Sequence, residues 1–300
     1  MALVQGIYDL GEPGREAPGV LLEDGTRLDV PSFVRDYDEA FFADGGLSEL
    51  KSWLKENLAS APRVTKSVRL GSPISRPSKI VCIGLNFRDH ARKSKMEIPK
   101  EPVIFSKATT SLVGPNDDLI MPKAEKVDWE VELAVAIGKK GSYIERDDAL
   151  EYVGGYALHN DYSERLFQLE RGGQWVKGKS ADTFAPVGPF LATCDEIPDT
   201  KKLGMWLKVN GDFRQRSSTS EMIFDVPTLV SYVSQFMTLL PGDIISTGTP
   251  AGVGLGMSPP QYLKAGDVVE LGIEQLGESR QSVVAWQRKT AETVGSGPAR

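Results

Sequence analysis

The chain has few of the residues that mark secreted or redox-active proteins, with two cysteines and two histidines among 300 residues. Cys82 and Cys194 lie far apart in apolar surroundings, so we expect buried thiols in a reducing compartment rather than a disulfide. No apolar run approaches the ~18 residues of a membrane-spanning helix. Residues 1–19 lack the basic and apolar regions of a signal peptide. These absences predict a soluble, cytoplasmic protein with no membrane partner.

An excess of basic residues is also missing, since the net charge is −6 and the isoelectric point is about 5.2. Proteins that bind nucleic acids normally carry a basic patch or a basic excess, so we expect no nucleic-acid partner. Hydrophobic residues make up 40% of the chain and charged residues 25%, which is typical of a globular protein with an ordinary core.

The composition predicts two domains and a tail. Residues 1–72 contain short strand patterns and one helical pattern at 48–58, which predicts a small N-terminal α+β domain. The Pro-, Gly- and Ser-rich stretch 69–77 marks the boundary. Residues 73–288 form the predicted catalytic domain, and 289–300 are a predicted flexible tail. Strands outnumber helices and do not alternate with them regularly, so the fold class is α+β, mainly β, and not a doubly wound sheet.

One strand, at 128–138, organises the chain. Four apolar residues share one of its faces: Val131, Leu133, Val135 and Ile137. Glu130 and Glu132 share the other face, followed by two alanines. Two neighbouring carboxylates repel unless a cation lies between them, and an oxygen-seeking ion such as Mg²⁺ or Mn²⁺ satisfies that need. The alternative is a half-exposed strand with a solvated acidic face, which is more common for an isolated E-x-E.

Asp161 ends a later strand, directly before a helical pattern at 163–171. It is either the third carboxylate ligand of a metal site or a plain helix N-cap. In that helix Arg165 and Gln168 would be i, i+3 neighbours, suited to a substrate with a carboxylate and a carbonyl. The alternative is a polar pair on the surface.

Other polar residues have weaker signals. Lys179, in the polar segment 178–184, could stabilise an enolate or oxyanion, or could merely be solvated. His90 follows a strand and a bend and is placed for general-base work, although most histidines are structural. His159 is expected to be structural or to lie beside the metal ligands. The Gly-rich stretch 246–254 lacks a phosphate-loop pattern but could hold a carboxylate on exposed amides.

Five ordered motifs resemble those of the fumarylacetoacetate hydrolase family. They are GLNFRDH at 84–90, WEVEL at 129–133, NDYSERLFQ at 160–168, KGKSADTFAPVGP at 177–189 and PGDIISTGTP at 241–250. The resemblance spans roughly residues 75–275, and the first 70 residues look like the family's variable N-terminal domain. Among subgroups, the chain is most similar to the bacterial-type diketo-sugar-acid and acylpyruvate hydrolases.

The resemblance implies a mixed β-roll catalytic domain, a homodimer and a metal site for Mg²⁺ or Mn²⁺. The implied metal ligands are Glu130, Glu132 and Asp161. It also implies substrate-handling roles for four further side chains: Lys179, Arg165, Gln168 and Thr249. The lysine would polarise the bound carbonyl, the arginine and glutamine would orient the substrate, and the threonine loop would hold its carboxylate. Family members cleave or decarboxylate small 1,3-dicarbonyl acids, so a keto acid is the implied substrate.

One position departs from the family pattern. Hydrolytic members usually follow the histidine with a glutamate three residues later, whereas here Lys93 follows His90. An ammonium group disfavours the imidazolium that a carboxylate would stabilise. The leading hypothesis is therefore a metal-dependent hydrolase that cleaves a C–C bond in an acylpyruvate or fumarylacetoacetate type of diketo acid. The alternatives are a decarboxylase or isomerase on the same site, and a weakly active or non-catalytic relative.

Overall fold

The computed structural model describes residues 4–287, so the predicted flexible tail at 289–300 lies outside the described residues. The first sheet contains five strands: β1 (Val4–Leu10), β2 (Ala17–Leu22), β3 (Arg27–Asp29), β4 (Arg63–Val64) and β5 (Leu70–Gly71). Two helices accompany it, α1 (Glu39–Ala43) and α2 (Gly46–Asn57), the second matching the helix predicted at 48–58. The sheet order is β4-β3-β2-β1-β5. The predicted boundary at residue 72 follows its last strand, and the division into domains stays a prediction.

The rest of the chain is mainly β. Its strands are β6 (Ile80–Gly84), β7 (Val103–Lys107), β8 (Leu112–Val113), β9 (Leu119–Ile120), β10 (Val127–Asp128), β11 (Val131–Ile137), β12 (Val153–Asn160), β13 (Ser163–Glu164), β14 (Ala185–Pro186), β15 (Gly204–Val209), β16 (Asp212–Ser218), β17 (Ile244–Ser246), β18 (Val268–Ile273) and β19 (Gly277–Val284). Its α-helices are α3 (Arg88–Ser94), α4 (Arg165–Leu169), α5 (Val176–Lys179) and α6 (Val226–Ser234). Short 3₁₀ turns cover Thr109–Ser111, Arg146–Tyr152, Thr219–Glu221 and Gly254–Gly256. This confirms the predicted α+β, mainly β class.

The central sheet has the order β12-β11-β17-β6-β7 and carries the site on one face. It is mixed, because β17 and β6 are parallel while the other neighbours are antiparallel. The apolar face of β11 packs in the larger core cluster. The opposite face carries Ala134 and Ala136, which pack in a second cluster with residues of the first sheet such as Ile7 and Leu28. Both faces of β11 are therefore buried.

The predicted strand at 128–138 is interrupted. It forms β10 and β11, with Trp129 and Glu130 between them outside any strand. Glu130 is 6% exposed and Glu132 is 1% exposed, so the alternative of a solvated acidic face is wrong. Two buried carboxylates need compensating cations or hydrogen bonds, because an unpaired buried charge is very costly.

A third sheet, in the order β16-β15-β18-β19-β9, supports the site from the other side. A turn at Asn210 and Gly211 joins β15 to β16, and both residues have a positive φ, as a two-residue hairpin turn requires. Sequence reasoning missed β19 and α6. Within residues 4–287, no helix combines the length and apolar character needed to cross a membrane.

Two local expectations need correction. The helix predicted at 163–171 is shorter, since α4 covers Arg165–Leu169 and Glu164 is its N-cap, accepting a hydrogen bond from the Phe167 amide. Asp161 is therefore not a helix cap. The segment 178–184 was expected to be a polar, flexible loop, but Lys179 ends helix α5 and is 1% exposed.

Asp9 on β1 is a buried acid without a cationic hydrogen-bond partner. The Ser75 hydroxyl donates to Oδ2 at 2.7 Å, and Oδ1 has no partner among residues 4–287. Burial raises the pKa of Asp9 to about 7. Because the pKa in the folded state lies above the unfolded value, the protonated acid favours folding, and this stability is lost as pH rises from about 4 to about 7.

We expect Asp9→Asn to be more stable than the wild type at pH 8 by roughly 1–3 kcal/mol, because it removes a buried charge. At pH 4 the advantage should vanish, since the wild-type acid is then protonated. Thermal unfolding of both proteins from pH 4 to pH 8 measures the difference in their stability. A difference that does not change with pH would contradict this role of Asp9.

Candidate metal centre

The break between β10 and β11 fixes Glu130 beside the end of β12. The Glu130 amide donates to Asn160 Oδ1 at 3.0 Å, and its carbonyl accepts from the Asp161 amide at 2.9 Å. In addition, the Trp129 indole donates to the Gly252 carbonyl at 3.1 Å. The chain therefore brings Glu130 and Asp161 together through backbone hydrogen bonds.

Three carboxylates meet at this point. One oxygen each from Glu130, Glu132 and Asp161 lies within 4.8 Å of the others, and all three residues are buried. One oxygen of Glu132, Oε2, accepts from the Ser246 hydroxyl and from the Gly248 amide at 2.9 Å. The grouping that the E-x-E pattern and Asp161 suggested is thus present in the structure.

Three buried cations surround these carboxylates. Lys179 Nζ bridges two of them, at 2.8 Å from Glu130 Oε2 and 2.7 Å from Asp161 Oδ2. Lys107 Nζ donates to Asp161 Oδ1 and, at 3.1 Å, to the Tyr162 carbonyl. The third cation is Arg165, whose guanidinium contacts Glu130 and lies 2.8 Å from Asp128.

The pKa values of the three carboxylates shift in different directions. Burial alone would raise the pKa of Glu130, but Lys179 and Arg165 hold it below the usual value. Asp161, also buried, has its pKa lowered by Lys107 and Lys179. Glu132 differs, because burial and the charges of Asp161 and Glu130 raise its pKa well above the usual value. Among residues 4–287, Glu132 therefore has hydrogen bonds from Ser246 and Gly248 but no ion pair with a cation.

A divalent cation fits this deficit. The buried group contains four carboxylates (Asp128, Glu130, Glu132 and Asp161) and three cations (Lys107, Arg165 and Lys179), so its net charge is −1 with every group ionised. A Mg²⁺ or Mn²⁺ ion would change this to +1, which suits an anionic substrate. Carboxylate oxygens are the preferred ligands of both ions, and each oxygen has more than one lone pair, so lysine contacts do not exhaust them.

Arg165 and Gln168 are neighbours in the structure, as the helical spacing predicted. Arg165 Nη1 donates to Gln168 Oε1 at 2.9 Å, and both residues are buried, so the alternative of a surface pair is wrong. Because the guanidinium only donates, the oxygen of Gln168 faces it, and the amide NH₂ is left for another acceptor.

Thr249, on the loop after β17, lies beside His90 of helix α3. The Thr249 hydroxyl donates to the Val131 carbonyl at 2.9 Å, and its own carbonyl is 3.2 Å from His90 Nδ1. The only hydroxyl proton of Thr249 is used in this bond, so the hydroxyl has no proton left for a substrate carboxylate, and the substrate role of this loop stays a prediction. His90 is half-buried on α3, and Lys93 on the same helix is exposed.

His159 is buried opposite Glu132 in the β11–β12 ladder. Its Nδ1 is 3.1 Å from the Pro186 carbonyl, and Nε2 has no hydrogen-bond partner within the described chain. Burial lowers the pKa of His159 to about 4, so the imidazole is neutral at pH 7. This position agrees with the expectation that it is structural or lies beside the metal ligands.

Sequence reasoning missed Lys107, Asp128 and Ser246 as members of the site. A signal existed for each. Lys107 shares one face of its strand with Val103 and Phe105, and Asp128 precedes Glu130 by two residues. Ser246 ends the apolar strand β17, which pairs with β11. Their contact with the carboxylates depends on the way the strands meet, which the local pattern does not contain.

The chain is similar to known proteins over most of its length. The family described as Fumarylacetoacetate (FAA) hydrolase C-terminal matches residues 79–284. A Burkholderia multivorans protein with the name "Putative hydrolase" is 49% identical over 273 residues, which are 90% of this chain and 96% of that protein.

Two solved structures are similar over almost the whole chain. Maleylpyruvate hydrolase from Sphingobium sp. SYK-6, in complex with manganese(II) and pyruvate, has a TM-score of 0.77 and 29% identity, covering 93% of this chain and 100% of that one. A protein described as a probable 2-hydroxyhepta-2,4-diene-1,7-dioate isomerase from Mycobacterium abscessus has a TM-score of 0.80 and 34% identity, covering 94% and 100%. The chain therefore belongs to the fumarylacetoacetate hydrolase family, whose members are metal-dependent enzymes.

Proposed function

We propose that the protein is a Mg²⁺- or Mn²⁺-dependent hydrolase that cleaves the C–C bond of a 1,3-diketo acid of the acylpyruvate type. The observation that carries the proposal is the buried cluster of Glu130, Glu132 and Asp161, in which Glu132 lacks a cation and Lys179 bridges the other two. Such a cluster joins a divalent-ion site to a fixed ammonium group, and both stabilise negative charge that develops on substrate oxygens.

The three carboxylates would hold the ion. When bound, it supplies a Lewis acid that draws electron density from a substrate carbonyl. Lys179 adds a positive charge at the same point, held in place by its two carboxylate contacts. The free NH₂ group of Gln168 donates to a substrate oxygen, since Arg165 fixes the opposite end of that amide.

His90 is the proposed general base. Its imidazole takes a proton from the water whose oxygen attacks the carbonyl carbon distal to the carboxylate. The bond from the attacked carbonyl carbon to the carbon between the two carbonyls then breaks. The electron pair of this bond stays on that carbon and forms an enolate with the remaining carbonyl. The proton returns to the enolate carbon, so the products are a carboxylic acid and pyruvate or a substituted pyruvate.

A second candidate is an isomerase or decarboxylase on the same site. Lys93 favours it, because this position lacks the carboxylate that usually supports the histidine in hydrolytic members. Neither reaction needs an activated water, so both could proceed with the metal and Lys179. The similarity to a solved isomerase is compatible with this candidate.

Product analysis separates the two candidates. We expect the purified protein to convert acetylpyruvate to equal amounts of acetate and pyruvate with Mg²⁺ or Mn²⁺, and EDTA to stop the reaction. The measurement follows the loss of enol absorbance together with pyruvate and acetate. Release of carbon dioxide, or an isomer without acetate, would contradict the hydrolase and support the second candidate.

The Lys93→Glu variant is the matched comparison for this assay. If His90 works without a carboxylate at this position, the wild type already releases pyruvate, and the variant changes the rate without changing the products. If only the variant releases pyruvate, the natural protein performs another reaction at the same centre.

A further inference from the structure

The tautomer of His90 follows from the one hydrogen bond that its ring makes to the described part of the chain. The Thr249 carbonyl, 3.2 Å from Nδ1, can only accept a hydrogen bond, so Nδ1 carries the proton in the neutral ring. Nε2 then has a free lone pair, and no residue in the described range 4–287 hydrogen-bonds to it. This is the form that a general base needs.

Gln215 holds the Thr249 carbonyl in place. It lies on β16, is 1% exposed and uses both ends of its amide. Its Nε2 donates to Thr249 Oγ1 at 2.8 Å and to the Pro250 carbonyl at 2.9 Å, so it contacts the residue that binds His90 and the residue after it. The other end, Oε1, accepts from the Val131 amide at 3.0 Å.

The same contacts reach the metal ligands. Val131 lies between Glu130 and Glu132, and its carbonyl accepts from the Thr249 hydroxyl at 2.9 Å. The Val131 amide therefore donates to Gln215, and the Val131 carbonyl accepts from Thr249. A displacement of the His90 partner would also strain the segment that carries two carboxylates of the cluster.

Strand β16 fixes helix α3 as well. The Ser217 hydroxyl, two residues after Gln215, donates to Asp89 Oδ2 at 2.7 Å. Asp89 directly precedes His90, so one strand anchors both the helix that carries the histidine and the loop that binds it. Lys93 on the same helix is exposed, and the acceptor at His90 Nδ1 is the Thr249 carbonyl.

We propose that Gln215 is a positioning residue that holds the Thr249 carbonyl against His90 Nδ1 and thereby keeps Nε2 free to accept a proton. The catalytic part of this inference rests on the proposed function, whereas the tautomer is a property of the resting protein. Gln215 touches no reacting atom, and it acts through Thr249.

Nitrogen NMR of ¹⁵N-histidine-labelled protein tests the proposal without turnover. The chain has only two histidines, so His159→Asn assigns both signals. We expect His90 in the wild type to be the Nδ1–H tautomer when neutral. In Gln215→Met we expect a mixture of tautomers, together with a fall in kcat of roughly 10- to 100-fold and a smaller change in KM.

Gln281→Met is the matched control for the tautomer, because Gln281 is another fully buried glutamine, and its amide bonds to the Pro115 carbonyl and the Tyr162 hydroxyl instead of the His90–Thr249 pair. It should leave the His90 signal unchanged even if it lowers stability. If Gln215→Met does not fold, Thr249→Val removes the hydroxyl link and should also mix the tautomers, whereas Thr249→Ser should restore a single one.

The outcomes distinguish the positioning role of Gln215 from the proposed function. A wild-type His90 in the Nε2–H form, or an unchanged tautomer in Gln215→Met, would overturn the positioning role whatever the activity. The expected tautomers in a protein without diketo-acid turnover would support the positioning of His90 and contradict the proposed function alone.

Discussion

Replacing Glu132 with glutamine is expected to abolish metal-dependent turnover and, at the same time, to raise the melting temperature of the metal-free protein. Burial and two neighbouring carboxylates make the Glu132 charge unfavourable without an ion. Glutamine keeps an oxygen that can accept from Ser246 and Gly248, but it carries no charge. Activity should fall at least ~100-fold, and the melting temperature should rise by roughly 2–6 °C.

Glu130→Gln is the matched control, since it makes the same chemical change two residues away. Glu130 contacts both Lys179 and Arg165, so its removal takes one of two carboxylate partners from each of these buried cations and should cost about 3–5 kcal/mol. Calorimetry of both variants in EDTA compares the melting temperatures. Equal destabilisation by the two substitutions would contradict this expectation, because it would mean that Glu132 is a charged carboxylate stabilised by a cation in the metal-free protein.

Lys179→Met should slow turnover by roughly 100- to 1,000-fold while strengthening the binding of Mn²⁺. The ammonium group contacts one oxygen of Glu130 and one of Asp161, so its loss removes a competitor for the carboxylates and a positive charge near the ion. In EDTA the variant should be less stable than the wild type, because two buried carboxylates lose their shared partner.

Lys177→Met is the control for Lys179, because Lys177 lies on the same helix but is exposed. Its effect on rate and on Mn²⁺ affinity should be small. Steady-state kinetics and Mn²⁺ titration of both variants measure the contrast. A Lys179→Met protein that binds Mn²⁺ more weakly than the wild type would show that the lysine supports the ion instead of competing with it.

The sequence was sufficient for the parts of the site that follow local spacing. Period-two alternation predicted that Glu130 and Glu132 lie together, which they do although the strand is interrupted at Glu130. The three-residue spacing of Arg165 and Gln168 predicted their contact. The resemblance in five ordered motifs predicted the family, which the comparisons confirm. The implied metal and substrate roles remain predictions.

The contacts between distant strands could not be read from the sequence. Lys107 reaches Asp161 across 54 positions, and Gln215 joins Val131 to Thr249 from a strand that no motif marked. Each contact depends on which strands become neighbours, and period-two patterns do not specify that order. The Thr249 carbonyl lies 159 positions from His90, so the spacing around His90 and Lys93 could not predict this partner.

The most direct test of the account is the stoichiometry of Mn²⁺ bound to the purified protein, measured by electron paramagnetic resonance for the wild type and for Glu132→Gln. The account predicts one ion per chain in the wild type, and loss of that ion in a variant that is folded and more stable in EDTA. Equal binding of Mn²⁺ by both proteins, or no binding by the wild type, would contradict a metal centre built on Glu130, Glu132 and Asp161.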